Sequence, residues 1–229
     1  MLNVLIAEDN VPISVLLLNT INTNDVRCLG ILNEGTKVYQ KVRELNPDVL
    51  ILDLKMPGKN GLEILQEIEN DATVKTKVFI YSGETKYLEK ARDFKCVERF
   101  FSKLTPPEEI SRQLQEMAEG ISNKNIGKQI SEMLFSMGFT YSLKGTRLIN
   151  ACILYSIVED EDNVNNIYIK VAKEKGQNVH TIKSDINTAI SSMWRYTDKK
   201  KTRKILRLGD WDKPSSKGII SMVKYYITK

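Results

Sequence analysis

Cysteine, long apolar runs and repetitive sequence are all scarce in this chain of 229 residues. Cys28, Cys96 and Cys152 are odd in number, far apart and form no CxxC pair. That spacing argues against a zinc site and against a disulfide framework, and it points to a reducing cytoplasm. No apolar stretch approaches the roughly 20 residues that cross a bilayer, so no membrane partner is expected. Residues 1–10 carry an apolar run without a basic leader or a small-residue cleavage site, and an acidic pair follows at once. The run therefore reads as a buried strand and not as a signal peptide. There are no internal repeats and no low-complexity tracts.

What is present divides unevenly. Residues 1–119 hold 15 Lys/Arg against 19 Asp/Glu, a net −4, whereas residues 120–229 hold 19 against 10, a net +9. Such asymmetry suggests a basic half that meets a polyanion and an acidic half with another task. The first half alternates short apolar runs (2–7, 26–32, 49–52, 78–81 and 99–101) with amphipathic stretches (12–22, 35–45, 61–70 and 86–94). Several runs are apolar at consecutive positions, as in strands buried on both faces of a parallel sheet. A last helix is expected from Thr105-Pro106-Pro107-Glu108, with Thr105 as cap and Glu108 closing a capping box. Five such units predict a doubly wound, flavodoxin-like α/β domain over 1–119. The polar, glycine-bearing stretch 120–127 is expected to be a linker. Residues 128–229 carry helical patterns only, near 129–137, 145–158, 165–174, 178–193, 199–206 and 216–227, which predicts a six-helix, all-α domain.

Four features fall just after four of the predicted strands: Glu8-Asp9, Asp53, Ser82-Gly83 and Lys103. In an open parallel sheet such positions converge outside the carboxyl ends of the strands. Three carboxylates held together need a cation among them, and a hard, oxygen-seeking ion such as Mg²⁺ suits the set. Lys103 adds positive charge and Ser82 a hydroxyl, so the cluster can bind a phosphoryl group and stabilise its transfer to a carboxylate. Glu8-Asp9, the run DLKMPGKNG from Asp53 to Gly61, Ser82-Gly83, and Phe100 three residues before Lys103 together resemble the receiver domain of two-component response regulators. The resemblance implies Asp53 as phosphoacceptor, with Glu8, Asp9, Asp53 and the backbone carbonyl of Lys55 as magnesium ligands. It implies Ser82 as the hydroxyl that turns toward the phosphoryl, Lys103 as its ion-pair partner and Phe100 as an aromatic switch. Leu104 stands where the family usually has proline after the lysine. Lys55 and Glu84 flank the site, either as an opposite-charge pair that tunes phosphoryl lifetime or as two solvated charges.

In the basic half, YIKVAKEKGQNVHTIKSDIN (Tyr168–Asn187) places Ala172, Gly176 and Ile182 at helix-turn-helix spacing. Val179, Ile182, Ile186, Ala189, Ile190 and Met193 form an apolar stripe. His180, Thr181, Lys183, Ser184 and Asn187 lie opposite it, able to reach phosphates and base edges in a major groove. Arg195, Lys199, Lys200, Lys201 and Arg203 follow, suited to phosphate contacts. Leu143–Ile153, Tyr168–Trp194 and Lys213–Val223 resemble the effector family of the sporulation master regulators, stage zero sporulation protein A. That resemblance covers scaffold positions such as Gly145, Tyr168, Ala172 and Trp194, but the family's arginine- and glutamate-bearing recognition helix is replaced here.

Together the two resemblances imply a regulator of transcription and not an enzyme, in which a histidine kinase or phosphotransferase phosphorylates Asp53. Phosphorylation would then promote a homodimer that binds DNA, with RNA polymerase as a further partner and sporulation as the programme. The alternative is a phosphorelay module whose basic half binds a protein. A phosphatase of the haloacid type would need a second aspartate two residues past the nucleophile, and Lys55 stands there.

Overall fold

The computed structural model describes residues 1–83, 85–209 and 212–229, the side chains of Thr85 and Lys86 aside. Contacts divide the chain into two units, Met1–Gly120 and Ile121–Lys229.

The first unit alternates strands and helices: β1 (Leu2–Ala7), α1 (Val11–Ile21), β2 (Val26–Leu32), α2 (Val38–Leu45), β3 (Val49–Leu52), α3 (Gly61–Asn70), β4 (Lys77–Ser82), α4 (Thr85–Ala91) and β5 (Val97–Ser102). A 3₁₀ turn at Gly35–Lys37 leads into α2. The strands form one sheet in the order β2-β1-β3-β4-β5, parallel at each pairing. Alternate residues of one strand go to opposite faces. Val4, Ile6, Ile51, Phe79 and Tyr81 therefore pack with Leu17, Ile21, Ile110 and Leu114, while Leu5, Ala7, Leu50, Leu52 and Ile80 pack with Val42, Ile64, Leu65 and Ile68. Both faces are covered, and that explains the unbroken apolar runs. The chain builds outward on one side from β1 to β2 and on the other from β3, so the order reverses between β1 and β3. A crevice opens at such a reversal.

The helix expected to start at Pro106, with Thr105 as cap, begins one residue later, as α5 (Pro107–Ser136). It supplies Ile110, Leu114 and Ala118 to the first core and Ile130 and Leu134 to the second. Residues 120–127, expected as a linker, are helical. Their polarity correctly signals exposure, but composition does not dictate backbone conformation. A glycine costs a helix interior only about 1 kcal/mol, and a Cβ at Gly120 or Gly127 would meet no neighbouring atom.

The second unit continues with α6 (Lys144–Val158), α7 (Val164–Glu174), α8 (Val179–Tyr196), α9 (Lys199–Leu206) and α10 (Ser216–Ile227). Its core gathers Ile149, Cys152, Ile153, Ile167, Val171, Ile182, Ile186, Ile190 and Val223. Gly145 decides how closely α6 meets α8, since a Cβ there would lie 1.9 Å from the Asp185 carbonyl oxygen and 2.9 Å from the Ala189 methyl. Lys144 pairs with Asp185 across the same contact at 3.0 Å. Between α7 and α8, Gly176 takes φ +60°, a conformation in which glycine has no Cβ to clash. Asn178 caps α8 by accepting from the His180 backbone N–H at 2.7 Å. All three thiols are free; Cys28 and Cys96 are half-buried in the first unit and Cys152 is fully buried in the second. Among the described residues no helix is long and apolar enough to cross a membrane.

Candidate functional site

The sheet brings four of its carboxyl-terminal ends to one place. Hydrogen bonds beyond the strands fix the backbone there: Glu8 N–H donates to the Leu32 carbonyl at 3.0 Å, Asp53 N–H to Ala7 at 2.9 Å and Lys103 N–H to Ser82 at 3.3 Å. The carboxylates of Glu8, Asp9 and Asp53 thereby offer ligand atoms all within 4.8 Å of one another. Glu8 and Asp53 are buried, at 1% and 3% exposure, as is Ser82 at 1%, while Asp9 is exposed. The Lys103 ammonium donates to Glu8 Oε1 at 2.8 Å and to Asp53 Oδ2 at 2.6 Å.

The Lys103 ammonium therefore pairs with two of the three carboxylates. Burial pushes the Glu8 carboxyl above its ordinary value, outweighing the Lys103 bond that would lower it. Burial alone would lower Lys103, but its bonds to Asp53 and Glu8 prevail and hold it above the ordinary lysine value. Among the described residues nothing hydrogen-bonds to the buried Glu8 Oε2. A desolvated carboxylate oxygen beside two further carboxylates is the oxygen-rich environment that a hard divalent ion takes, so the residues fit such an ion.

Lys55 is exposed, and its backbone N–H donates to Asp53 Oδ1 at 3.2 Å. Its expected partner Glu84 lies outside the described residues. Phe100 pairs with Ile80 on β5 and is 40% exposed, whereas its neighbour Phe101 is buried against Phe79 at 5.6 Å. Leu104 is 92% exposed. Two supports escaped the sequence reading. Asn33 donates to the Glu8 carbonyl at 2.7 Å, and the Asn10 N–H donates to Glu8 Oε1 at 3.1 Å. Asn33 directly follows β2, as the recognised residues follow their own strands, and that position was its signal.

On α8 the apolar stripe is turned inward, with Ile182, Ile186, Ala189, Ile190 and Met193 buried and Val179 half-buried. Opposite it runs a shallow groove lined by His180, Lys183, Ser184, Asn187, Thr188, Ser191, Ser192, Arg195 and Tyr196. Thr181 is exposed at its edge. Lys183 is drawn aside, donating to Asn165 Oδ1 at 3.1 Å with its ammonium 5.3 Å from the Tyr168 ring. Thr188, Ser191, Ser192 and Tyr196 were not singled out in the sequence, although extending the helical period past Asn187 reaches them. Lys199, Lys200 and Lys201 are exposed on the first turn of α9, which Asp198 caps by accepting from the Lys200 N–H at 2.9 Å. Arg203 is half-buried and places its guanidinium 5.2 Å from the Trp194 ring.

Comparison with known proteins agrees with this division. Residues 4–115 match the family model of the response regulator receiver domain. Residues 130–227 match that of the sporulation initiation factor Spo0A C terminal. This chain is a response regulator receiver domain followed by a Spo0A C-terminal domain. Curated relatives of different kinds each match under a third of this chain. The DNA-binding transcriptional activator EvgA of Escherichia coli (strain K12) is 33% identical over 67 residues, 29% of this chain and 33% of EvgA. A protein-glutamate methylesterase/protein-glutamine glutaminase of Burkholderia thailandensis is 35% identical over 69 residues, 30% of this chain and 20% of that protein. The matches thus span a third or less of these relatives. Among solved structures, a LuxR-family DNA-binding response regulator from Staphylococcus aureus superposes with a TM-score of 0.48 at 29% identity, covering 52% of this chain and 99% of the other.

Proposed function

We propose that this chain is a phosphorylation-gated, DNA-binding transcription regulator. The observation that carries the reading is the Lys103 ammonium held between buried Glu8 and Asp53, in the same chain as a helix-turn-helix unit of net charge +9.

Asp53 is the nucleophile. One of its carboxylate oxygens forms a bond to phosphorus as the P–N bond of a donor phosphohistidine breaks, and the imidazole leaves with the electron pair. The donor is a histidine kinase or phosphotransferase. Glu8, Asp9, Asp53 and the Lys55 carbonyl are the residues that would hold Mg²⁺, which when bound neutralises the carboxylates and the phosphoryl oxygens. Lys103, a cation 2.6 Å from Asp53 Oδ2, pairs with the phosphoryl once it is attached. Ser82 and Phe100 carry the change to the receiver surface, which then favours a homodimer. Coupling of this kind needs only about 1–3 kcal/mol.

In the effector, α8 enters the major groove and α9 meets the backbone. Three lysines at a helix N-terminus oppose the helix dipole, partly offset by the Asp198 cap. A cationic N-terminus kept at that cost suits a phosphate. His180, Thr181, Ser184 and Asn187 face the bases, while Arg195, Lys199, Lys200 and Lys201 face phosphates. Lys183 and Arg203 hold α8 and α9 in place through Asn165, Tyr168 and Trp194.

The test is labelling by acetyl phosphate with Mg²⁺, followed by gel shift on genomic DNA fragments. Wild type takes up label and binds DNA more tightly when labelled, and Asp53→Asn takes up none. Label persisting in Asp53→Asn would refute the phosphoacceptor. Absence of any shift at low salt would refute the DNA-binding effector.

A further inference from the structure

The exposed stripe of α8 carries an unusual distribution of charge. Its cations stand only at the margins. Lys183 is tied to Asn165 and lies over the Tyr168 ring, and Arg195 comes in the last turn. Between them stand Ser184, Asn187, Thr188 and Ser191, all exposed and uncharged. The commonest specific contact to guanine is a bidentate arginine or lysine on O6 and N7, and the centre of this face has neither.

What it does have suits adenine and thymine. Among the described residues nothing hydrogen-bonds to the Asn187 side chain, which is exposed, so its amide is available as donor and acceptor together, the pair that matches N7 and N6 of adenine. Thr188 is different, because its hydroxyl already donates to the Ser184 carbonyl at 3.0 Å. What is left to contact a partner is an oxygen that can only accept and the methyl, and the methyl suits the C5-methyl of thymine. Two neighbouring side chains, by separate chemistry, thus select the same base pair. The helix rises about 1.5 Å per residue, so His180 and Asn187 lie roughly 10 Å apart along its axis, the length of about three base pairs. Arg195 lies roughly 12 Å beyond Asn187, about the width of the major groove, where it meets the phosphate backbone. An acidic protein partner would instead call for cations at the centre of the face.

We propose that α8 reads an A·T-centred site, with Asn187 as the residue that specifies adenine and the Thr188 methyl as the contact to thymine. The inference rests on the DNA-binding reading of the effector. It is tested by selecting duplexes from random DNA with the full chain, labelled by acetyl phosphate, at low salt. Gel shifts then compare selected duplexes for wild type, Asn187→Ala and Asn187→Gln. Asn187 is exposed on a helix, where alanine is a strong helix former, so both variants keep the wild-type circular dichroism. Selected sites share an A·T pair whose change to G·C weakens wild type roughly 10–100-fold. Asn187→Ala loses that discrimination, binding the A·T and G·C versions of a selected duplex equally, and Asn187→Gln keeps the preference for adenine. Uracil in place of the thymine weakens wild type severalfold and leaves Thr188→Ser unchanged. Sites centred on G·C, or A·T discrimination that survives Asn187→Ala, overturn the inference while DNA binding stands. Failure to select any duplex overturns both.

Discussion

The two units place their functional chemistry in opposite ways. The receiver concentrates it in a few ionisable groups at the end of a sheet, where Glu8 and Asp53 are almost inaccessible and the Lys103 ammonium bonds to both. The effector spreads it over an exposed helical face of small polar side chains, on a scaffold whose precision lies elsewhere, in the contact of Gly145 with the Asp185 backbone. Buried charge is intolerant of substitution because any change leaves a desolvated partner. An exposed reading face can be rewritten without touching the core beneath it.

The comparison can be broken at several points. The largest effect on stability is expected from Gly145→Ala, whose methyl would need the space of the Asp185 carbonyl oxygen. Overpacking of this kind should cost the effector about 3 kcal/mol and leave the receiver's transition in urea where it was. If both transitions move together, the two units do not unfold independently. Lys103→Ala attacks the other unit. It removes the ammonium that bonds to both Glu8 and Asp53, and the rate of labelling by acetyl phosphate should fall roughly 100-fold with DNA affinity of the unlabelled chain unchanged. A rate within a few-fold of wild type would remove Lys103 from the phosphoryl site. Gly176→Ala is milder. A Cβ there meets no neighbour, so only the left-handed backbone costs, about 1–2 kcal/mol in thermal unfolding of the effector. Smallest is the paired change Lys200→Gln and Lys201→Gln. It should lower the slope of log affinity against log salt by about 2, without altering which sequences are preferred. A change of preference would mean that α9 reads bases.

Most of the fold was legible in the sequence, because both units express it through periodicity. The fully buried strands announce themselves as continuous apolar runs, and the inward stripe of α8 falls on Ile182, Ile186 and Met193 as its spacing implies. The receiver cluster was legible too, since a parallel sheet leaves few places for residues that follow strands. What escaped was of two kinds. Residues 120–127 read as a linker because they are polar and carry glycine, yet they are helical and Ile126 packs against the effector core. Lys183 looks like a reader because lysines on exposed faces usually point to solvent. Its bond to Asn165 and the approach of its ammonium to Tyr168 are tertiary facts with no local signature.

The scarcity of cysteine has a practical consequence. Cys152 sits sealed in the effector core with its thiol pushed up to about 12 by burial. Cys96, beside the Glu69 carboxylate, is likewise pushed up to about 12, chiefly by burial. The thiolate is the reactive form, so neither sulfur should react in the folded chain. Replacing Cys28 and Cys96 with serine would leave Cys152 as the only thiol, and its modification by a thiol reagent would then time each opening of the effector core. The chain thus carries a native clock for one of its two units, which could be read with and without a phosphoryl group on the other.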